Sequence, residues 1–329
     1  MRRFCLLLML CLLLAGCGNE DAMPTPPATV AIPTETAYIP GTVPDASAVD
    51  TVILRSRDEA LRIDYTLMAI SPEAPFAEDE EPPVINAEGA QALIHWLTSR
   101  EAQHLAGAFG REEYGDTLYY VNLDEKEEPE IPQATEETRI IRLSAARSLC
   151  DSGVLDALLP VFQDRYGYSV EIKPDETFLI LSGARRGEAD VVLTSSPVLE
   201  EKFLEEGFTA QRIPFVHEYY LLCGPASDPA QVADCGDIYE AFAAIAGGEH
   251  IFISRGDGYT LHVKEVGLWP RELGISTESS TWEPYRDWYV SADAETGPCI
   301  TMAQLLEGYV LCDKLTYQIF YTKAFSWVV

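Results

Sequence analysis

Positive charge is scarce in this 329-residue chain: 23 Lys and Arg stand against 53 Asp and Glu, a formal net charge of −30. Binding to nucleic acid needs clustered Lys and Arg to displace counterions, so no nucleic-acid partner is expected. The acidity says little about a small ligand, because a cleft can be locally positive on an acidic protein. Catalytic signatures are missing too. No GxSxG, HExxH or Walker motif occurs, so the chain is not read as an enzyme. The cysteines Cys150, Cys223, Cys235, Cys299 and Cys312 are scattered, with no CxxC and no Cys/His ligand spacing. That excludes a recognisable metal site, and no cofactor is expected. One disulfide suits an oxidising exterior, but spacing does not assign its partners. Long apolar runs are limited to Phe4–Leu14, about half the ~20 residues a membrane-spanning helix needs.

What is present begins with a compartment signal. Arg2 and Arg3 precede the apolar run, and Leu14-Ala15-Gly16-Cys17 follows it. This is the pattern of a bacterial lipoprotein signal over residues 1–17, with lipid expected on Cys17. The lipid would anchor the protein to the extracytoplasmic face of the cell membrane. Residues 18–50 are rich in Pro and Thr without apolar periodicity, the composition of an extended tether. The rest of the chain is long enough for two α/β lobes with their own cores.

Two structured regions follow, separated by an acidic linker at 123–138 with six Glu and two Pro. In the first, short strands are expected at 52–54 and 65–70, and Asn86 and Ser99 each stand where they would cap a helix. Beyond the linker, strands at 139–143, 169–173, 189–194, 218–223, 251–254 and 288–290 alternate with helices at 152–166, 197–206, 237–246, 261–269 and 298–308. Such alternation points to parallel sheets with crossover connections.

Particular runs carry a family resemblance. Cys150-Asp151-Ser152-Gly153-Val154-Leu155-Asp156 leads into Leu158-Leu159-Pro160-Val161-Phe162. Ala189-Asp190-Val191, Glu201-Lys202-Phe203, Gly224-Pro225, Phe252-Ile253-Ser254-Arg255-Gly256-Asp257, His262 and Thr316-Tyr317 follow in order. Together they resemble the substrate-binding proteins of tungstate ABC importers, relatives of the molybdate and phosphate binders. The family's closing elements, a hinge strand and a Trp-Leu-Thr-Ser helix pair, stand upstream here. They match Asp64-Tyr65-Thr66-Leu67-Met68-Ala69-Ile70, Asn86-Ala87-Glu88-Gly89-Ala90 and Trp96-Leu97-Thr98-Ser99. The resemblance therefore implies an α/β, two-lobed type II periplasmic-binding-protein fold, with mixed sheets flanked by helices, in circularly permuted order; the rival explanation is a broken tandem gene, a truncated copy preceding another. Residues 51–122 would be its C-terminal part and 139–329 its N-terminal and middle parts, crossing between lobes near 214–218.

The resemblance also implies where a ligand sits. Anions in such proteins are held by hydroxyls, backbone N–H groups and an occasional arginine, on loops that leave a strand and open a helix. Those positions are Arg147 and Ser148 after the first strand, Thr177 at the family's Gly-Thr-Gly position, Thr194 and Ser195 at the end of the third strand, and Ser254 and Arg255. The family's hydroxyl-rich run is here Ala145-Ala146-Arg147-Ser148, and its Gly-Thr-Gly has become Glu176-Thr177-Phe178. Asp293 and Glu295 replace its Gly- and Thr-rich loop. Scaffold residues match while ligand loops differ. The expectation is a monomeric solute-binding lipoprotein for a small oxyanion, partnered by an ABC permease. The alternative keeps the fold as a surface sensor or adaptor with a vestigial pocket.

Overall fold

The computed structural model describes residues 51–77, 83–121 and 130–326. The signal, Cys17 and the tether lie outside these residues, as does part of the acidic linker. Two mixed sheets organise the rest. The five-stranded sheet runs in the order β1 (Thr51–Arg55), β8 (Leu221–Pro225), β11 (Tyr309–Cys312), β9 (Phe252–Ser254), β10 (Tyr289–Ser291). The six-stranded sheet runs β3 (Tyr120–Val121), β7 (Ile213–Tyr219), β2 (Arg62–Ala69), β6 (Val191–Thr194), β4 (Ile140–Ala146), β5 (Ser169–Asp175). In each sheet three neighbouring strands are parallel, β5-β4-β6 and β11-β9-β10, and the remaining pairs are antiparallel. This is the two-lobed α/β architecture that the resemblance implied, with the parallel strands that the strand–helix alternation implied.

The chain passes between the sheets in two places: once from β1 to β2, and once at Tyr220 between β7 and β8. The second passage splits what reads in sequence as one strand at 218–223. Residues 51–121 are woven through both lobes. β1 forms an edge of one sheet, while β2 lies between β6 and β7 in the other, antiparallel to both. Its adjacent residues Leu67 and Met68 are fully buried in different clusters, so both faces of the sheet are covered there.

Helices cover those faces. On one side of the six-stranded sheet lie α1 (Ala87–Leu97), α2 (Arg100–Ala108) and α5 (Val154–Tyr166), where Trp96 meets Phe162 at 5.5 Å between rings. The short helix α3 (Arg111–Tyr114) follows α2. On the other side α6 (Thr177–Ala184) and α7 (Pro197–Glu205) pack Ile180, Leu181 and Phe203 against Met68 and Val192. The five-stranded sheet carries α8 (Ile238–Gly247), α9 (Thr260–Val266), α10 (Ser279–Trp282), α11 (Thr296–Leu306) and α12 (Lys314–Ser326). The helix expected from Ser152 begins instead at Val154. Gly153 takes φ +80° and separates α5 from a turn of helix, α4 (Arg147–Asp151), a left-handed conformation glycine adopts without steric cost. α6 escaped sequence reading because Thr177–Ala184 (TFLILSGA) is apolar almost all round and shows no amphipathic period.

One polar cluster fastens the 51–121 segment to the rest. Asn86 caps α1 by accepting from the Gly89 N–H at 2.9 Å, and its amide donates to the Thr138 and Ile140 carbonyls. The Asn86 N–H donates to Asp190, which also accepts from the backbone N–H and guanidinium of Arg142. Asp190 is 1% exposed, so removing it strands the donors that converge on it. Asp190→Ala is expected to cost about 3 kcal/mol of unfolding free energy, read from urea denaturation. A loss below about 1 kcal/mol would show that the cluster does not fasten the two segments.

Candidate functional site

Strands β5, β6, β9, β10 and β11 end at short loops that lead into helices, and β4 runs directly into α4. In α/β sheets such carboxyl-end crevices are where ligands are held. Residues at strand ends of both sheets come within electrostatic reach of Glu176, which precedes α6. Burial raises the pKa of this carboxyl, and the Arg147 and Arg255 guanidinium groups both pull it back down. Arg147 follows β4 in one sheet and Arg255 follows β9 in the other, so one acidic side chain lies within electrostatic reach of both. Asp175 and Asp257 push it up further.

On the five-stranded sheet, Arg255 is largely committed to its own lobe. Nε donates to Asp257 at 2.7 Å, Nη1 to Thr296 Oγ1 at 3.3 Å and Nη2 to Glu295 at 3.1 Å. Burial opposes its charge, but Asp257 and Glu295 outweigh that and raise its pKa. Ser254 is fully buried behind it. Its Oγ donates to Glu265 at 2.6 Å, accepts from the Gly256 N–H and lies 2.9 Å from the Tyr289 hydroxyl oxygen. Tyr289 and Trp269 also donate to Glu265. His262 accepts from the Gly258 N–H at 2.8 Å and is fully buried, which makes it a brace for the loop. A buried carboxylate thus holds the Ser254–Gly258 loop from behind.

The six-stranded sheet repeats that design. Thr194 is fully buried and donates to Glu200 at 2.9 Å; Glu200 also accepts from the Ser196 N–H and from Arg212. Thr177 Oγ1 accepts from the Ser195 N–H at 3.4 Å. Neither the Thr177 hydroxyl hydrogen nor Ser195 Oγ has a partner among the described residues. Arg147 is half-exposed and reaches the Pro174 carbonyl at 3.5 Å and Asp175 at 3.8 Å. Ser148 is exposed, and its Oγ lies 2.9 Å from the hydroxyl of Tyr65, which itself contacts Glu218 at 2.6 Å.

A hydroxyl has one hydrogen to give. Ser254 and Thr194 spend theirs on buried carboxylates, so among the hydroxyls singled out in the sequence, Thr177, Ser195 and Ser148 are the ones able to face a ligand as donors. Tyr65, Glu218, Glu265 and Tyr289 were not singled out from sequence. Their signal was there only in part: Glu218 is a carboxylate between aromatic and apolar residues of a strand, where a charge on the buried face calls for a partner.

A model of the PBP superfamily domain matches residues 132–324. Tungstate-binding protein TupA of Peptoclostridium acidaminophilum is 36% identical over 179 residues, 54% of this chain and 60% of that protein. A putative ABC transporter anion-binding protein of Haloferax volcanii is 31% identical over 180 residues, 55% of this chain and 50% of its own length. The chain thus spans between half and 60% of the length of these relatives. Among solved structures, the tungstate-binding protein TupA of Desulfovibrio alaskensis shares 27% identity at a TM-score of 0.48, covering 57% of this chain and 72% of that one. The tungstate ABC transporter structure from Geobacter sulfurreducens shares 33% identity at a TM-score of 0.43, covering 55% and 75%.

The buried brace makes a pH prediction. Burial raises Glu265 from its ordinary 4.5 to about 7, against the opposing hydrogen bonds from Ser254, Tyr289 and Trp269. The folded state therefore binds a proton more tightly than the unfolded state, and the stability this contributes is complete below about pH 4.5 and lost as pH rises through about 7. At about 1.4 kcal/mol per pKa unit the swing is on the order of 3 kcal/mol. Glu265→Gln should flatten the fall of unfolding free energy between those pH values. Parallel wild-type and variant curves would refute it.

Proposed function

The chain belongs to the PBP superfamily, and from that premise we propose that it is the solute-binding component of an ABC importer, taking up a small oxyanion. The carrying observation is that strand-end residues of both sheets act on Glu176, Arg147 from one sheet and Arg255 from the other both lowering its pKa. Thr177, Ser195 and Ser148 supply hydroxyls at the same strand ends. The two passages between sheets would serve as the hinge for closure over a ligand. In this reading Cys17 carries a lipid that holds the protein as a monomer at the extracytoplasmic face, where it delivers its ligand to a permease. Tungstate is the reference ligand because the relatives bear that name.

The same reading takes the chain as circularly permuted, with 51–122 carrying the family's closing elements ahead of 139–329. Two facts support this: the family model ends its match at 132 on the upstream side, and β2 nevertheless fills the slot between β6 and β7. One observation favours the adaptor alternative. Arg255 is already paired with Asp257 and Glu295, so an incoming dianion must compete with carboxylates of the protein.

Calorimetric titration with tungstate, molybdate, phosphate and sulfate decides between them. Binding of at least one, weakened more than about tenfold in Arg255→Ala, is expected. Glu295→Ala removes an exposed competitor and should tighten the same ligand a few-fold. No heat and no thermal stabilisation with any of the four anions would reject the importer reading and leave the adaptor.

A further inference from the structure

A single file of hydrogen bonds runs from the buried interior to the cleft. Glu218 on β7 is 5% exposed, and Tyr65 is its hydrogen-bond partner, the only one among the described residues, at 2.6 Å. Tyr65 on β2 is buried and reaches Ser148 Oγ at 2.9 Å. Ser148 is exposed beside Arg147, in the first turn of α4 directly after β4. Each link in such a file passes one hydrogen, so its direction is set at the buried end. With Glu218 ionised, Tyr65 must donate inward, and Ser148 must donate to Tyr65. Its hydrogen then points away from the cleft. With Glu218 protonated, the carboxyl donates to Tyr65, Tyr65 donates to Ser148 Oγ, and the Ser148 hydrogen is released toward the cleft.

We propose that Glu218, Tyr65 and Ser148 form a polarity relay that couples binding of an oxyanion at Ser148 to uptake of one proton by Glu218. Glu218 and Tyr65 are positioning residues in this device, and Ser148 is the ligand contact. The proposal rests on the anion-binding reading above and adds a proton to it. An ionised relay offers an anion only oxygen lone pairs, whereas a protonated relay offers it a donor.

The surroundings favour the protonated form near neutrality. Burial lifts Glu218 from 4.5 to about 8, the Tyr65 hydrogen bond opposes this, Asp313 adds to it and Lys314 opposes it. The Lys314 ammonium is drawn off by Asp116 at 2.6 Å and the Thr117 carbonyl at 2.7 Å. The other titratable groups facing Glu218 are Tyr65 on β2, Tyr119 before β3 and Tyr220 at the lobe passage, all held neutral by raised pKa values of their own. The sign follows. Affinity is highest where Glu218 is protonated and falls as pH rises through about 8, because the apparent affinity scales with the competent fraction.

The test is titration of the full chain with tungstate and molybdate from about pH 6.5 to about pH 9.5, in wild type and three variants. Wild-type affinity should fall toward about tenfold per pH unit above about pH 8. Glu218→Gln keeps a permanent donor toward Tyr65 and should hold the tight, low-pH affinity across the range. Tyr65→Phe frees Ser148 from the relay and should also bind independently of pH. Ser148→Ala should bind weakly at every pH. A ligand-free measurement guards against variants that fold poorly: infrared spectra of the wild type at neutral pH should show a carboxylic-acid C=O band, beyond the one from Glu265, that Glu218→Gln loses. A pH dependence that survives in both Glu218→Gln and Tyr65→Phe overturns the relay alone and assigns the proton elsewhere, to Glu176 for instance. Absence of that infrared band also overturns it. Failure of every anion to bind wild type at any pH overturns the anion reading, and the relay with it.

Discussion

The pairing of β2 between β6 and β7 is the constraint on which the rest of the molecule depends. β2 comes from the 51–121 segment, while both of its neighbours come from beyond the linker. Without it the six-stranded sheet would be two pieces with unpaired edges, and buried backbone groups left without partners are costly. The register set by this pairing fixes which face each β2 side chain takes. Leu67 enters one core and Met68 the other, and a slip of one residue would exchange them. The same register points Tyr65 at Glu218 and Ser148. Core packing and the chemistry of the cleft are therefore decided by one set of backbone hydrogen bonds.

Two loops at the strand ends are braced by buried carboxyl groups, Glu265 under Ser254 and Glu200 under Thr194, and Glu218 lies behind Tyr65 and Ser148. Such braces fix loop geometry because a buried carboxylate left unpaired is heavily penalised, so donors are held to it. They also consume donors. Ser254 and Thr194 look like ligand hydroxyls in sequence, yet their hydrogens are directed inward. Arg255 is likewise shared among Asp257, Glu295 and Thr296. The cleft thus holds fewer free donors and more competing negative charge than its residue types suggest. That tension is why protonation of buried carboxyls enters the reading of its function.

The fold was legible where local signals agreed with the tertiary outcome. Asn86 and Ser99 cap α1 and α2 as their positions foretold, because an N-cap depends only on a side chain and a backbone N–H three residues on. The strand–helix alternation beyond residue 139 gave the parallel portions of both sheets. The misses have equally physical reasons. α6 shows no amphipathic period because its exposed positions Phe178 and Leu179 are apolar too, and the turn of helix at Arg147–Asp151 lies ahead of Gly153, upstream of the helix read from Ser152. Asp257 as the holder of Arg255 and His262 as a packed residue were readable from the loop itself, since their partners lie within a few positions. Glu176 was noticed as a replaced glycine, but that it lies within reach of both arginines depends on how two lobes face each other.

By itself the sequence determined the acidic balance, the lipoprotein pattern at its start, the caps and turns, and the family whose scaffold the chain carries. Each of these depends on composition or on residues a few positions apart, and short-range interactions survive reading in one dimension. Only the tertiary structure decided which hydroxyls keep a hydrogen for the cleft, because Tyr65, Ser148 and Glu218 are 83 and 153 positions from one another along the chain. Hydrogen-bond direction is a property of the whole file of groups, and no residue in it carries that information alone.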